Sequence, residues 1–464
     1  MFGFMRKGAH KIKCGKLASF PLFFLLLLLA VLSAGPGVAR AAELRVSLVE
    51  ALHRALEENP ELSALRNALS AQGEEIGVSR SSLLPKLSFE EAVTRTNNPP
   101  FAFSAKLNQE RFSQDDFALR SLNAPKPITD FQTSLSFEQV LFALPARIGV
   151  TMAKGEYSAK KEDFVRKKEE IVFKVVQAFL AVNTAREYVN ITEKEAEDAR
   201  EHLRIAGLRY DAGLGLYSDT LRAATAVTEA EQKQVSARKN LAVARRALGL
   251  LLGVSEEVDI SGEGAALPVL DLAYYTTASL SRKDIISLQQ RHENEKYKIK
   301  LAESAYLPTI GVGGGYQLND HRNPFGAEGD SWRIGAFLRW NLFDGSKREH
   351  ERAKAHFGMR ESEENMKALK NAVSFQVAAA YLGVEEARKN AELSQAALKT
   401  AEEGKRLVKV RYENSLSPLI DLLDAQVSLD HARAGMVARE NEYRTAAARL
   451  SYESGTILRD LKIE

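Results

Sequence analysis

The sequence predicts a mainly helical chain with a transmembrane β-barrel contribution, built from one helix–β-hairpin–long helix–helix unit written twice, with four strands per chain. Three observations predict it. Segments about 200 residues apart match in the same order along the chain, which is the mark of an internal repeat. Two stretches of roughly 65 residues keep helical composition without a proline. Four shorter segments alternate apolar and polar residues with the period of a strand.

The matches define the units. QAFLAVNTARE (177–187) pairs with AAAYLGVEEAR (378–388), LRYDAGLGLYSDTL (208–221) with VRYENSLSPLIDLL (410–423), and EQVLFALPAR (138–147) with RWNLFDGSKR (339–348). SRSSLLPKLSF (79–89) likewise resembles AESAYLPTIGV (302–312), displaced by a longer loop in the first unit. The expected organisation is a leader over 1–42, a first repeat over 43–253, a linker over 254–272 and a second repeat over 273–464. The linker rests on Gly262, Gly264 and Pro268.

The leader has three parts: a basic stretch ending at Lys16, an apolar core from Leu17 to Leu32, and Ala39-Arg40-Ala41 as a small-residue cleavage pattern. Gly35-Pro36-Gly37 interrupts any helix continuing from that core, so an exported chain is expected rather than an anchored one. The leader carries six cations and no acid, and subtracting them takes the formal charge from +3 to −3. The apparent basicity therefore argues for no nucleic-acid partner. The single cysteine, Cys14, leaves with the leader, so no disulfide or thiolate metal site is expected.

Each unit opens with a helical stretch, roughly 47–83 and 276–306, stopped by Leu-Pro at Pro85 and Pro308. Strands follow at about 87–95 and 131–141 in the first unit and at about 309–317 and 331–341 in the second. Trp332, Ile334, Ala336, Leu338 and Trp340 alternate with Arg333, Gly335, Phe337 and Arg339. Ten-residue strands with one apolar face suit an outer-membrane barrel. Lipid tolerates strands only in closed barrels. Four strands cannot close one, so several copies must pool them; two copies leave an interior that side chains fill, and three leave a passage. The long loop, Thr96 to Asp130, and its short counterpart, Leu318 to Asp330, are expected outside the cell.

The long helices are expected at 146–210 and 347–412, each followed by a turn and a last helix at 218–252 and 418–454. A helix of about 65 residues is ~100 Å long, which fits a bundle or tube and not a compact enzyme. Phe375, Ala379, Leu382, Leu393, Ala396, Thr400, Leu407 and Val410 share one seven-residue register, with Glu386, Lys389 and Glu403 interrupting it. That stripe predicts lateral packing of rods.

Signal peptide, duplicated units, Leu-Pro before the first strand and NLFDGSKR (341–348) after the second together resemble the TolC-type outer-membrane efflux family over essentially the whole mature chain. The resemblance implies a homotrimer with a twelve-stranded barrel in outer-membrane lipid and a periplasmic tunnel of twelve helical rods. It implies a passive exit duct served by an inner-membrane transporter and a periplasmic adaptor, in drug or metal efflux or type I secretion. The competing class is a soluble periplasmic coiled-coil scaffold or adaptor, which should carry one helical hairpin and a lipoyl-like domain.

Candidate sites lie at the periplasmic turns. Asp421 and Asp424, three residues apart, share a helix face, and repeated about an axis they make stacked acidic rings that attract cations. An ordinary helix start accounts for the same residues: Ser417 as N-cap, Pro418 as first helical residue, Asp421 complementing the helix dipole. The resemblance implies a closed periplasmic gate at Tyr412, Asp421 and Asp424, with Asp219 at the matching place in the first repeat. The arginine of the family's turn is Ser417 here, so the resemblance carries the acidic constriction without its arginine latch. It also implies adaptor contact at the tips Gly213-Leu214 and Ser415-Leu416.

Catalytic signatures are missing. Histidines at 53, 202, 292, 321, 350, 356 and 431 show no ligand spacing. Gly311-Val312-Gly313-Gly314-Gly315 lies within a strand pattern and opens no helix, so no phosphate cradle is expected. The reading is of a non-enzyme with no cofactor and no metal.

Overall fold

The computed structural model describes residues 44–262, 264 and 267–463. The expected leader lies outside the described residues.

The first repeat begins with strand β1 (Leu44–Val46), helix α1 (Leu48–Glu58) and helix α2 (Pro60–Ser81). The sequence predicts one helix here, and the structure breaks it at Asn59. Pro60 has no N–H to donate and forces its predecessor out of helical geometry. Asn59 accordingly sits at φ −61°, ψ 123°, and its side chain accepts the N–H groups of Glu61 and Leu62 at 2.9 and 3.1 Å. The second repeat breaks likewise, into α7 (Leu272–Ser279) and α8 (Lys283–Ser304).

Strand β2 (Lys86–Thr96) leads into the long loop, which carries helical structure of its own. It holds α3 (Pro99–Asn108), a 3₁₀ turn (Gln114–Phe117) and α4 (Leu119–Asn123). Strand β3 (Ile128–Phe142) returns to the long helix α5 (Leu144–Asp211), and α6 (Tyr217–Leu251) closes the repeat. The expected linker contains a strand, β4 (Val258–Ile260), which pairs with β1. Three residues are too few to show a period, so nothing in the sequence announces it. The second repeat continues with β5 (Thr309–Asp320), β6 (Gly329–Arg339), α9 (Lys347–Glu413), α10 (Leu419–Ser454) and the short α11 (Ile457–Asp460).

The helices form four columns. α5 and α9 each fill one. In the other two, shorter helices meet end to end, and the two junctions are built alike. Asn59 donates its side-chain amide to Leu251 O at 2.8 Å, joining the start of α2 to the end of α6. Arg282 donates to Glu453 O at 2.9 Å, joining the start of α8 to the end of α10. Gly253 (φ +79°) and Gly455 (φ +75°) terminate the incoming helices, and an added Cβ would lie 2.6 Å from Glu58 O and 2.9 Å from the Arg282 side chain. Only glycine fits both the backbone and the space.

Two apolar stripes run along α9. Val373, Val377, Ala380, Val384 and Ala387 are buried within the copy. The stripe read from the sequence is a different one: Phe375, Leu382, Leu393, Leu407 and Val410 remain exposed on a single chain. The second stripe is the first shifted by two residues. At about 100° per residue the two therefore lie about 160° apart, on opposite flanks of the helix.

The four long strands form one antiparallel sheet in the order β2-β3-β5-β6. Register fixes its faces. Phe89 stands opposite Leu135, Leu135 opposite Tyr316 and Tyr316 opposite Trp332, giving a continuous apolar face. One residue along, Ser88, Ser136, Gly315 and Arg333 form the corresponding row of the polar face. Among the described residues, β2 and β6 have no strand on their outer sides.

Candidate functional site: the two helical turns

The turns at the far end of the long helices are closed by the same backbone device. After α5, Gly213 N–H donates to Tyr210 O at 2.9 Å and Leu214 N–H to Arg209 O at 2.8 Å. After α9, Ser415 N–H donates to Tyr412 O at 3.0 Å and Leu416 N–H to Arg411 O at 2.8 Å. Both turns need a left-handed residue, supplied by Gly213 at φ +74° and by Ser415 at φ +61°. A side chain there costs about 1–2 kcal/mol, so Ser415 calls for an explanation.

Arg209 provides it. From the last turn of α5 its guanidinium crosses to the other repeat, donating to Tyr412 O at 2.7 Å and to Ser415 Oγ at 2.7 Å. Its carbon lies 4.7 Å from the Tyr412 ring centroid, within cation–π range. The serine that strains the turn is the one that accepts the arginine. Sequence reading missed Arg209 because its repeat counterpart, Arg411, is exposed and the contact runs between repeats.

Tyr412 is buried at this junction. Burial pushes its phenol up, the charge of Asp219 adds to the effect, and Arg209 opposes it. The hydroxyl therefore stays protonated near neutrality. A cleft of about 550 Å³ opens between the turns, lined among others by Arg209, Leu214, Asp219, Tyr412, Ser415 and Leu416. The structure thus gathers Tyr412, Asp219, Leu214, Ser415 and Leu416 around one space.

Asp421 and Asp424 stand apart from that cleft, exposed on the first turns of α10. The helix start differs from the expected one. Pro418, not Ser417, is the N-cap, and α10 begins at Leu419. The Ser417 hydroxyl has no hydrogen-bond partner, so it caps nothing. At the tips, Leu214 and Leu416 are 73% and 69% exposed, which leaves apolar surface facing outward.

Deeper between the helices lies a second polar group. Asp430, six residues and about 9 Å beyond Asp424 along α10, is buried and accepts the Gln426 amide at 2.8 and 3.0 Å. Burial raises its carboxyl, Gln426, Arg433 and Lys405 oppose this, and Asp198 adds to it. Glu195 on α5 is raised by burial and by the charge of Asp430, with Lys233 and His431 opposing. His202 is held low, chiefly by burial, which keeps its ring neutral.

One cluster of potential metal ligands occurs among the described residues, Asp320, His321 and Glu328 at the β5–β6 turn. Its atoms are engaged with the turn itself: Asp320 accepts the N–H groups of Arg322 and Asn323, and His321 Nδ1 bonds Glu328 at 2.5 Å.

Comparison with known proteins decides the family. The model of the outer membrane efflux protein family matches residues 51–254 and 274–456. The chain belongs to that family. Each matched block covers most of one repeat, and the break between them falls in the segment holding β4. The chain is 22% identical to the outer membrane protein TolC of Vibrio cholerae over 450 residues, 92% of this chain and 94% of that one. It is 20% identical to the outer membrane efflux protein BepC of Brucella suis over 438 residues, 93% and 90% of the two chains. It is 22% identical to the alkaline protease secretion protein AprF of Pseudomonas aeruginosa over 435 residues, 89% and 85%. Among solved structures, CusC aligns with a TM-score of 0.75 at 16% identity, covering 89% of this chain and 93% of that one. The open-state outer membrane channel MtrE of Neisseria gonorrhoeae aligns with a TM-score of 0.72 at 18% identity, covering 89% of each. Membership in this outer membrane efflux family is a transport assignment in the outer membrane of a Gram-negative cell, and it favours the duct over the soluble scaffold.

Proposed function

We propose that three copies of this chain assemble into one duct, with a shared twelve-stranded barrel in outer-membrane lipid and a periplasmic tunnel of helical rods. The duct is passive. Cargo reaches it from an inner-membrane transporter through a periplasmic adaptor that meets the tips at Gly213-Leu214 and Ser415-Leu416. Names among the relatives span efflux and alkaline protease secretion, so the reading covers both kinds of export.

The observation that carries the assembly is the sheet with one apolar face and two open edges, β2 and β6. In lipid those edges must be paired. The exposed stripe on α9 supports the same reading. Stripes about 160° apart give a rod two neighbours on a gently curved wall, close to the corner angle of about 150° in a twelve-rod ring.

Light scattering of detergent-purified protein tests it, with three chains per particle expected. A folded monomer that stays dissolved in plain buffer would sink it. Cross-linking from cysteines at positions 214 and 416 to a co-expressed adaptor tests the docking tips separately.

A further inference from the structure

The long loop between β2 and β3 is held on the polar face of the sheet, at the outermost ends of the strands. Ala102 and Ala105 of α3 bury Ile128, which lies on the same face as Ser134 and Ser136 by the alternation of β3. Gln109 donates to Thr129 O at 3.0 Å and to Asp130 Oδ1 at 2.7 Å. Asn319 of β5 holds the same Asp130 at 2.9 and 3.1 Å. On β6, a Cβ added to Gly329 would lie 2.1 Å from Asn108 O, so the glycine is what lets the loop settle onto the strand. α3 therefore rests across β3, β5 and β6 on the side opposite Phe89, Leu135 and Trp332. If that apolar side meets lipid, this side is the lumen.

The rest of the loop is compact. Phe112 packs edge-on against Phe103 and Phe117, at 4.6 and 5.0 Å between centroids, and Lys106 pairs with Asp116. Its exposed surface mixes charged residues such as Glu110, Arg111, Asp115 and Arg120 with large apolar ones: Phe101, Phe117 and Leu119 are 66%, 64% and 77% exposed. Three large apolar side chains left exposed on one 31-residue loop call for a contact that covers them.

Dimensions identify the contact. Twelve strands about 4.8 Å apart, tilted about 40°, enclose a ring of roughly 12 Å radius. A helix with its side chains is about 10–12 Å across. One such helix against each third of the wall reaches nearly to the axis, so three copies meet there.

We propose that residues 97–127 form a lid: in the trimer, three copies of this segment meet on the axis and close the outer mouth of the barrel with Phe101, Phe117 and Leu119. This rests on the three-chain barrel proposed above. The lid makes the duct a channel with a stop at each end, the outer one apolar and built from the copies themselves.

Single cysteines at the three apolar positions test it. Phe101→Cys, Phe117→Cys and Leu119→Cys are purified in detergent, checked by light scattering and treated with a short bismaleimide. The lid requires covalent dimers from these variants at least ten-fold above the parental chain, each chain having a single thiol to join to one neighbour. Three chains per particle with no excess cross-linking at any of the positions overturns the lid and leaves the assembly standing. A particle that does not hold three chains overturns the assembly, and the lid with it. If one substitution prevents folding, the remaining two decide, since Leu119 lies on a separate helix from Phe101.

Discussion

The guanidinium of Arg209, at the end of the first long helix, donates across 2.7 Å to the main-chain oxygen of Tyr412, at the end of the second. That bond, its partner on Ser415 Oγ and the stacking of the guanidinium over the Tyr412 ring tie the two turn tips together. A charge-assisted bond of this kind contributes about 1.5–3 kcal/mol, less where water reaches it. Arg209→Ala should loosen the turns and raise the single-channel leak of bilayer-reconstituted protein. Arg209→Lys should resemble it, because an ammonium cannot reproduce the planar two-point fork. Unchanged conductance in both variants would show that this tie holds nothing shut.

Asp421 and Asp424 make a different prediction. In the proposed trimer these carboxylates repeat about the axis as acidic rings, which concentrate cations, so Asp421→Ala/Asp424→Ala should lower cation selectivity and weaken block by multivalent cations, without changing the thermal midpoint appreciably. Selectivity and block identical to the parent would overturn the assignment of both residues to a periplasmic gate.

Acidity should act through Asp430. Its carboxyl is raised above the ordinary 3.8 by burial, so the folded state favours the neutral acid. The associated stability is full below 3.8 and is lost as pH rises through the raised folded value. Asp430→Asn keeps an acceptor for Gln426 and removes the charge. The variant should melt higher than the parent at neutral pH and match it near pH 3.8. A lower midpoint at neutral pH would mean that the charge is better paired than its surroundings indicate.

Gly314 should tolerate no side chain. A Cβ there would lie 2.7 Å from Arg333 O and 2.7 Å from the Phe137 ring, both on adjacent strands. Gly314→Ala must push the strands apart, and the expected result is less assembled protein in the outer membrane at equal expression. Gly335→Ala, where an added Cβ meets nothing within 4 Å, is the matched control and should assemble normally.

Much of this is legible in the amino-acid sequence. Both long helices stand where proline-free stretches predict them, because nothing along that length stops a helix once it has started. The strands were visible through the parity of Trp332, Ile334 and Leu338, which a single register preserves. What escaped was either short or relational. α3 and α4 lie among Pro99, Pro100, Pro125 and Pro127 and are too brief to show a period. Asn59 reads as an ordinary helical residue until the capping geometry of Pro60 is considered. Arg209 acts on a residue 203 positions away, and no local pattern reports such a pairing. Ser417 invited a capping role that the backbone assigns to Pro418.

The open edges of β2 and β6 also have a genetic consequence. In a ring closed by edge pairing, every copy is structurally indispensable to both of its neighbours. A defective allele whose product still enters the ring should therefore poison it: if the ring holds the three copies proposed above, equal expression of two versions leaves only about one particle in eight free of the faulty one. An allele that cannot pair its strands at all should be harmless beside a good one. Dominance and recessiveness then sort variants of this protein by whether their sheet still finds its companions.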